Sequence, residues 1–156
     1  MSVKPVPDGY HAVQAYLIVQ NATEAIEWYK EVFGTEEQMR LTGPGGSVGH
    51  AELQIGDSVV MLASEFPDME VYAPEHFNGS PISMAIYLED VDTVYQRAID
   101  AGATAKRPVQ DQFYGDRSGM IVDPFGHSWS LATHIEDVTP EEVQKRFDQM
   151  MSAGND

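Results

Sequence analysis

His50 and Glu52 form the pair in this 156-residue chain whose types and spacing best suit chemistry. They lie two residues apart in the stretch 48–55, where polar and apolar residues alternate as in a half-buried strand. Alternate side chains of a strand share one face, so both groups can reach one bound molecule. An imidazole beside a carboxylate can exchange protons with a substrate or contribute ligands to a divalent metal. The pair is therefore a candidate catalytic site, and the alternative is a buried histidine that only hydrogen-bonds its neighbours.

The other predicted strands carry polar or aromatic side chains on the corresponding face. The stretches 11–19 and 82–88 also alternate, and their more apolar faces are expected to pack against helices. Polar and aromatic groups that converge on a concave sheet favour a ligand pocket, whereas the alternative is a solvated face. Tyr114 and Arg117 could anchor an anionic or aromatic group, unless Arg117 simply pairs with Asp116 at a turn. The predicted pocket residues are Gln14, Tyr16, His50, Glu52, Ser83, Tyr87, Tyr114, Arg117 and Ser130.

Two copies of one pattern are expected to position these side chains. Asn21 can cap a helix that ends at Gly34, and Asp90 or Asp92 can cap a second helix that ends at Gly102. Each helix follows a predicted strand and precedes further strands, so the pattern repeats with a period of about 70 residues. We therefore predict an internal duplication, in which two curved half-sheets enclose a cleft.

The predicted organisation is a single domain over residues 10–137, with a lead-in before it and one helix after it. The lead-in is 1–9, the first module about 10–63, the connector 64–81, the second module about 82–134 and the helix 138–151. A connector of this length is unusual inside a compact domain, so it should join two halves or cover a site. One helical turn is expected within it. Thr139 and Pro140 are typical of a helix start, as N-cap and first helical residue.

A turn rich in special residues joins the last two predicted strands. In Asp123-Pro124-Phe125-Gly126, Pro is second and Gly fourth, which is the preference of a type I turn. The stretch 128–132 then alternates as a strand, so a hairpin is predicted. By the same parity His127 does not share the face of Ser130, and His134 lies beyond the strand.

The composition favours a small-molecule partner over nucleic acid or membrane. The formal net charge is −16, which repels phosphate backbones and attracts cationic molecules, although such acidity also serves plain solubility. No apolar run approaches the length of a membrane span, and the N-terminus has no signal-peptide core. There are no cysteines, so thiolate metal sites and cysteine nucleophiles are excluded. We expect a cytoplasmic protein.

Several stretches together resemble the vicinal oxygen chelate superfamily, which includes glyoxalase I, bleomycin-resistance proteins and extradiol dioxygenases. The shared features are two βαβββ modules, the Asp-Pro-x-Gly turn, and helices ending in Phe33-Gly34 and Ala101-Gly102-Ala103. Five stretches resemble the PhnB-like branch of this superfamily. They are Tyr16-Leu17-Ile18-Val19, Tyr114-Gly115-Asp116-Arg117, Asp123-Pro124-Phe125-Gly126-His127, Ala132-Thr133-His134 and the tail 136–142.

This resemblance covers about residues 10–147 and implies both a fold and an assembly. The fold is α+β, with paired βαβββ modules that form a curved, cleft-enclosing mixed sheet and an added C-terminal helix. The assembly implied is a homodimer.

The resemblance also implies where a metal would be held. Enzymes of the superfamily bind a divalent metal with four side chains, usually His and Glu, one from each of four strands. The corresponding positions here are Gln14, Leu62, Ser83 and Ser130. Divalent catalytic metals prefer imidazole or carboxylate ligands, so we predict that this metal site is absent and that no cofactor is bound. The alternative is a relocated metal at His50, Glu52 and one further group.

Two functions follow from the sequence. The first is a metal-free protein that binds a small molecule in a cleft, as bleomycin-resistance proteins do. The second is a lyase, isomerase or dioxygenase that uses His50 and Glu52, with a relocated metal or by acid/base chemistry alone.

Overall fold

The computed structural model describes residues 3–153, which fall into two compact units with one four-stranded sheet each. Unit 1 comprises residues 3–83 and 123–127, and unit 2 comprises residues 84–122 and 128–153. The elements are β1 Ala15–Val19, α1 Ala22–Phe33, β2 Glu36–Thr42, β3 Val48–Ile55, β4 Ser58–Ser64, β5 Ser83–Tyr87, α2 Val91–Asp100, β6 Thr104–Asp111, β7 Asp116–Val122, β8 Ser128–His134 and α3 Pro140–Ala153. The order β-α-β-β-β occurs twice and a helix follows, which confirms the predicted α+β fold.

The sheet of unit 1 has the strand order β1-β4-β3-β2. β1 pairs with β4 in parallel, while β4–β3 and β3–β2 are antiparallel. Leu62 lies opposite both Leu17 and Ala51, and all three side chains are buried. Paired residues share a face of the pleated sheet, so this row belongs to the side that packs in the core with α1. Asn21 caps α1 by accepting hydrogen bonds from two backbone N–H groups of its first turn, as predicted.

The sheet of unit 2 has the strand order β5-β8-β7-β6. Ile121, Trp129 and Leu131 are buried in its core, and Asp90 caps α2 through the backbone N–H of Thr93. A Cβ atom at Gly119 would lie 3.0 Å from a ring carbon of Tyr95, so glycine lets α2 approach β7 closely. Among residues 3–153, no helix is both long and apolar enough to cross a membrane.

The C-terminal helix α3 is tied to unit 2 by one arginine. Arg146 binds both carboxylate oxygens of Glu136, at 2.8 and 2.9 Å, and donates to the backbone carbonyl of Phe113. The ring of Phe147 lies 5.8 Å from that of Phe113. The helix begins at Pro140 as predicted and continues to Ala153, two residues further than predicted.

Several elements differ from the prediction. β1 begins at Ala15 rather than at residue 11, and Val13, expected on the helix-facing side, is 86% exposed. β2 and β6 were not delimited in the sequence because both are mostly exposed edge strands without clean alternation. His134 was predicted to lie beyond the last strand and is instead the final residue of β8.

The connector 64–81 contains two short 3₁₀ helices, Pro67–Met69 and Pro74–Phe77, where one helical turn was predicted. Each helix is followed by a residue in the left-handed region, Glu70 and Asn78, both with φ of 58°. Residues 1 and 2 of the predicted lead-in lie outside the described residues.

The predicted turn at residues 123–126 is present and is centred on Asp123. The Gly126 N–H donates to the Asp123 carbonyl at 3.1 Å, as a type I turn requires. The Asp123 carboxylate is buried and accepts from the backbone N–H groups of Phe125 and His127, both at 2.9 Å, and from the Tyr29 hydroxyl at 2.7 Å. Burial and this carboxylate raise the pKa of Tyr29 well above its usual value, so the hydroxyl keeps its proton and donates. One side chain therefore joins α1 to the turn.

We predict that Asp123→Ala lowers the free energy of unfolding by about 3 kcal/mol, because it leaves buried donors without an acceptor. Tyr29→Phe removes a single one of these hydrogen bonds and should cost about half as much. Urea unfolding followed by circular dichroism measures both. Equal losses for the two variants, or none for Asp123→Ala, would contradict this role of the carboxylate.

Candidate functional site

The polar face of the unit 1 sheet brings together three of the predicted pocket residues. Met61 on β4 lies opposite both Tyr16 and Glu52, so these residues share the face that points away from the core row at Leu62. His50 precedes Glu52 by two positions and shares the face. Tyr16, His50 and Glu52 are therefore neighbours, as the alternation predicted.

A chain of hydrogen bonds links these side chains. The Tyr16 hydroxyl lies 2.8 Å from His50 Nδ1, and His50 Nε2 lies 3.1 Å from a carboxylate oxygen of Glu52. The carboxylate can only accept, so Nε2 carries a hydrogen and Nδ1 can accept from Tyr16. The other carboxylate oxygen of Glu52 accepts from the hydroxyl of Tyr10, a partner that the sequence did not indicate.

These contacts change the acidity of the groups. The hydrogen bond from Tyr10, with a second from His50, lowers the pKa of Glu52 below its usual value. Hydrogen bonding to Glu52 raises the pKa of Tyr10, and partial burial raises that of Tyr16. The carboxylate is thus held ionised at neutral pH, while both phenols keep their protons.

A pocket of about 220 Å³ opens beside this network within unit 1. One wall comes from β1, through Tyr16 and Ile18, and the turn contributes His127. The remainder comes from the connector, so this segment lines a cavity as its length suggested. The connector residues at the pocket are Tyr72, Pro74, Phe77, Gly79, Ser80 and Pro81.

Local contacts hold the connector wall in place. The ring of Tyr72 stacks on that of His76, with centroids 3.9 Å apart and planes within 9°. The backbone N–H of Ala73 donates to the Glu65 carboxylate, and Gln20 donates to Glu75. None of Tyr72, Phe77 and His127 was among the predicted pocket residues, because their proximity to β1 depends on long-range packing. The one usable signal was the concentration of Pro and aromatic residues in the connector.

The polar face of the unit 2 sheet carries Ser130, Tyr87 and a second hydrogen-bonded group. Ser130 lies opposite Met120, and Asp116 lies opposite His134. The buried Asp116 carboxylate accepts from the Tyr87 hydroxyl at 2.9 Å and contacts His134 Nδ1 at 2.8 Å. His134 Nε2 contacts Asp137 at 3.0 Å. Both ring nitrogens therefore face carboxylates, which raises the pKa of His134 above its usual value.

Arg117 does not share this face. It follows Asp116 by one residue, which sends its side chain to the opposite side of β7. There the guanidinium binds both carboxylate oxygens of Asp92 in α2, at 2.7 and 2.8 Å, and Asp111 at 2.9 Å. The guanidinium thus has two internal ion-pair partners, and Asp116 is not one of them. A ligand-anchoring role for Arg117 stays a prediction.

The remaining predicted pocket residues are dispersed. Gln14 precedes β1, and its amide bonds to the backbone of His11. Ser83 is exposed at the start of β5. The Tyr114 hydroxyl lies 3.3 Å from Ser118 Oγ on β7. A ligand-binding role for these residues stays a prediction.

The residues at the metal positions implied by the resemblance do not fit a metal. Leu62 is fully buried on the core side of β4, and Met61 and Ala63 occupy the polar face instead. Gln14, Ser83 and Ser130 supply neutral oxygen or nitrogen donors, which divalent catalytic metals do not favour. Within residues 3–153, no three His, Asp or Glu side chains are grouped so that they could hold a metal ion. His50 and Glu52 therefore lack a third ligand of these types.

The contacts of His134 predict a pH dependence of stability. The folded pKa of His134 is raised above the usual 6.5, so its interactions stabilise the fold at low pH and are lost as pH rises through the folded pKa. Urea unfolding of wild type and His134→Gln should therefore differ more at about pH 5.5 than at about pH 9. A difference that is constant, or that grows with pH, would contradict this assignment.

Comparison with known proteins agrees with the architecture. Residues 10–131 match the family model described as the Glyoxalase/Bleomycin resistance protein/Dioxygenase superfamily. An uncharacterized protein of Mycobacterium bovis is 38% identical over 136 residues, which cover 85% of this chain and 90% of that protein. The crystal structure of TioX from Micromonospora is 26% identical, with a TM-score of 0.61 over 80% of this chain and 99% of that one. A PhnB protein from Bacillus cereus, 18% identical, shares the fold with a TM-score of 0.63 over 79% of this chain and 99% of that one.

Proposed function

We propose that this chain, which belongs to the glyoxalase/bleomycin resistance protein/dioxygenase superfamily, binds a small molecule in unit 1 without the metal site of the superfamily's enzymes. The observation that carries the proposal is the pocket, where the aromatic rings of Tyr16, Tyr72 and Phe77 accompany the imidazole of His127. Mostly apolar walls with a few polar groups are typical of small-molecule sites. The volume, about 220 Å³, lies below the usual range for drug-sized ligands, so the pocket suits a small compound or one group of a larger one.

Two further features are proposed with this function. Membership of the PhnB-like branch is supported by the stretches at residues 114–117, 123–127 and 132–134. A homodimer is supported by the exposed apolar residues Val13 and Ile82, which lie two residues before the edge strand β1 and one residue before the edge strand β5. Exposed apolar groups at a sheet edge favour coverage by another chain. Sedimentation velocity measures the assembly state.

A second candidate function, acid/base catalysis, is favoured by the hydrogen-bonded chain from Glu52 through His50 to Tyr16. Tyr16 lines the pocket and is about half exposed, so its hydroxyl can meet a bound molecule. His50 accepts from that hydroxyl and donates to an ionised carboxylate, which is the arrangement of a proton relay. Such an enzyme would use these residues without a metal.

We predict that compounds which raise the melting temperature of wild type in a fragment screen lose this effect in Phe77→Ala. Phe77 lines the pocket and is 64% exposed, so its removal takes away ligand contacts with little cost to the fold. Phe66→Ala is the matched control, because Phe66 is a 52% exposed phenylalanine of the connector that does not line the pocket. Compounds that stabilise all three proteins equally would bind elsewhere and would count against the proposed site.

The catalytic alternative predicts a different result. A binding protein returns its ligands unchanged and, when purified without chelators, carries no stoichiometric divalent metal. Mass spectrometry of the recovered compounds and elemental analysis of the protein measure the two properties. Conversion of a bound compound that His50→Gln abolishes while binding persists would favour the enzyme. Stoichiometric metal that His50→Ala loses would overturn the metal-free proposal.

A further inference from the structure

His127 is positioned at the pocket by two hydrogen bonds, one from its backbone and one from its ring. Its backbone N–H donates to the Asp123 carboxylate at 2.9 Å, and its Nε2 lies 2.9 Å from the backbone carbonyl of Ile18 in β1. Only 8% of the residue is exposed, and it lines the pocket. The side chain is thus positioned by a turn and a strand that are 109 residues apart in sequence.

The partner of Nε2 determines whether the other ring nitrogen, Nδ1, donates or accepts a hydrogen bond. A carbonyl oxygen only accepts, so Nε2 carries the hydrogen and donates to Ile18. In the neutral imidazole Nδ1 is then an acceptor. Nδ1 makes no hydrogen bond with any residue of the range 3–153, and it is not among the fully buried unsatisfied atoms of that range, so a bound molecule can donate to it. His127 Nδ1 is therefore an acceptor for which the described residues supply no donor.

The charges around the pocket select the kind of donor. Unit 1 contains three cationic side chains in its described residues, and each is already paired: Lys4 with Asp8, and Lys30 and Arg40 with Glu37. An anionic ligand would find no cationic partner among these residues. The connector carries the carboxylates of Glu65 and Glu75 next to the pocket wall. Aromatic faces such as those of Tyr72 and Phe77 also attract cations.

We propose that His127 Nδ1 is the acceptor that gives the pocket its ligand preference, for a small aromatic compound that carries a cationic N–H donor. This inference rests on the proposed function, since it names the ligand class of the same pocket. The ring of the ligand packs among the aromatic side chains, and its ammonium donates to Nδ1. The acidic surroundings favour its positive charge.

Benzylamine and benzyltrimethylammonium form a suitable pair of probes. Both carry a positive charge and a phenyl ring at neutral pH, but only benzylamine has N–H donors. In titrations followed by two-dimensional NMR, wild type should bind benzylamine at least tenfold more tightly. Benzoate, which has the opposite charge, should bind more weakly than benzylamine.

Two variants isolate the contribution of His127. His127→Phe keeps an aromatic ring but has no acceptor, so the preference for benzylamine should disappear. In His127→Gln the amide N–H can replace the bond to Ile18 while its oxygen accepts, so the preference should survive. This second variant also keeps the test valid if the Phe variant does not fold.

The outcomes separate this inference from the proposed function. If both cations shift pocket resonances equally in wild type, or if benzoate binds best, the ligand preference is wrong while the pocket stands. If neither cation shifts those resonances, the preference is wrong, and the Phe77 fragment screen decides whether the pocket binds anything. A preference retained in His127→Phe would overturn the role of Nδ1.

Discussion

The buried carboxylate of Asp123 is the constraint on which unit 1 depends. A buried carboxylate is costly unless hydrogen bonds replace its hydration, and here the donors include Tyr29, Phe125 and His127. One donor comes from α1 and two come from the turn, so parts of the chain 94 residues apart become one cluster. Because the same turn carries His127, the carboxylate also supports the ring whose Nε2 bonds to Ile18 in β1. The stability of unit 1 and the proposed ligand contact of His127 thus depend on the same residue, Asp123.

On the polar face of each unit, a carboxylate is hydrogen-bonded to a tyrosine and a histidine. In unit 1, Glu52 is held by Tyr10 and His50, and in unit 2, Asp116 is held by Tyr87 and His134. In both, the carboxylate nearest the face is satisfied by protein donors. Both carboxylates thus have hydrogen-bond donors from the protein itself.

Local sequence signals made much of this fold predictable. The site was harder to predict because it depends on contacts between residues that are distant in sequence. The caps at Asn21 and Asp90 and the turn at Asp123 act through neighbouring residues, so their outcome was visible in the sequence. The strand β2 is stabilised by pairing with β3, which no local pattern reports. Leu62 was placed at a metal position only through the resemblance, and an error of one residue in such a placement moves a side chain to the opposite face of a strand. The partner of Arg117, Asp92, lies 25 residues away on another element, and only packing identifies it.

The walls of the pocket come from different parts of the fold, and this has an evolutionary consequence. One wall belongs to β1, where a substitution disturbs the strand pairing and the core. The aromatic wall of Tyr72 and Phe77 belongs to the connector, which lies outside both sheets. The wall is carried on two short 3₁₀ helices that are secured by a few side-chain bonds. Mutations there can alter the shape and chemistry of the cavity while the scaffold is preserved. The shape and chemistry of this cavity can therefore diverge among related chains faster than their architecture does.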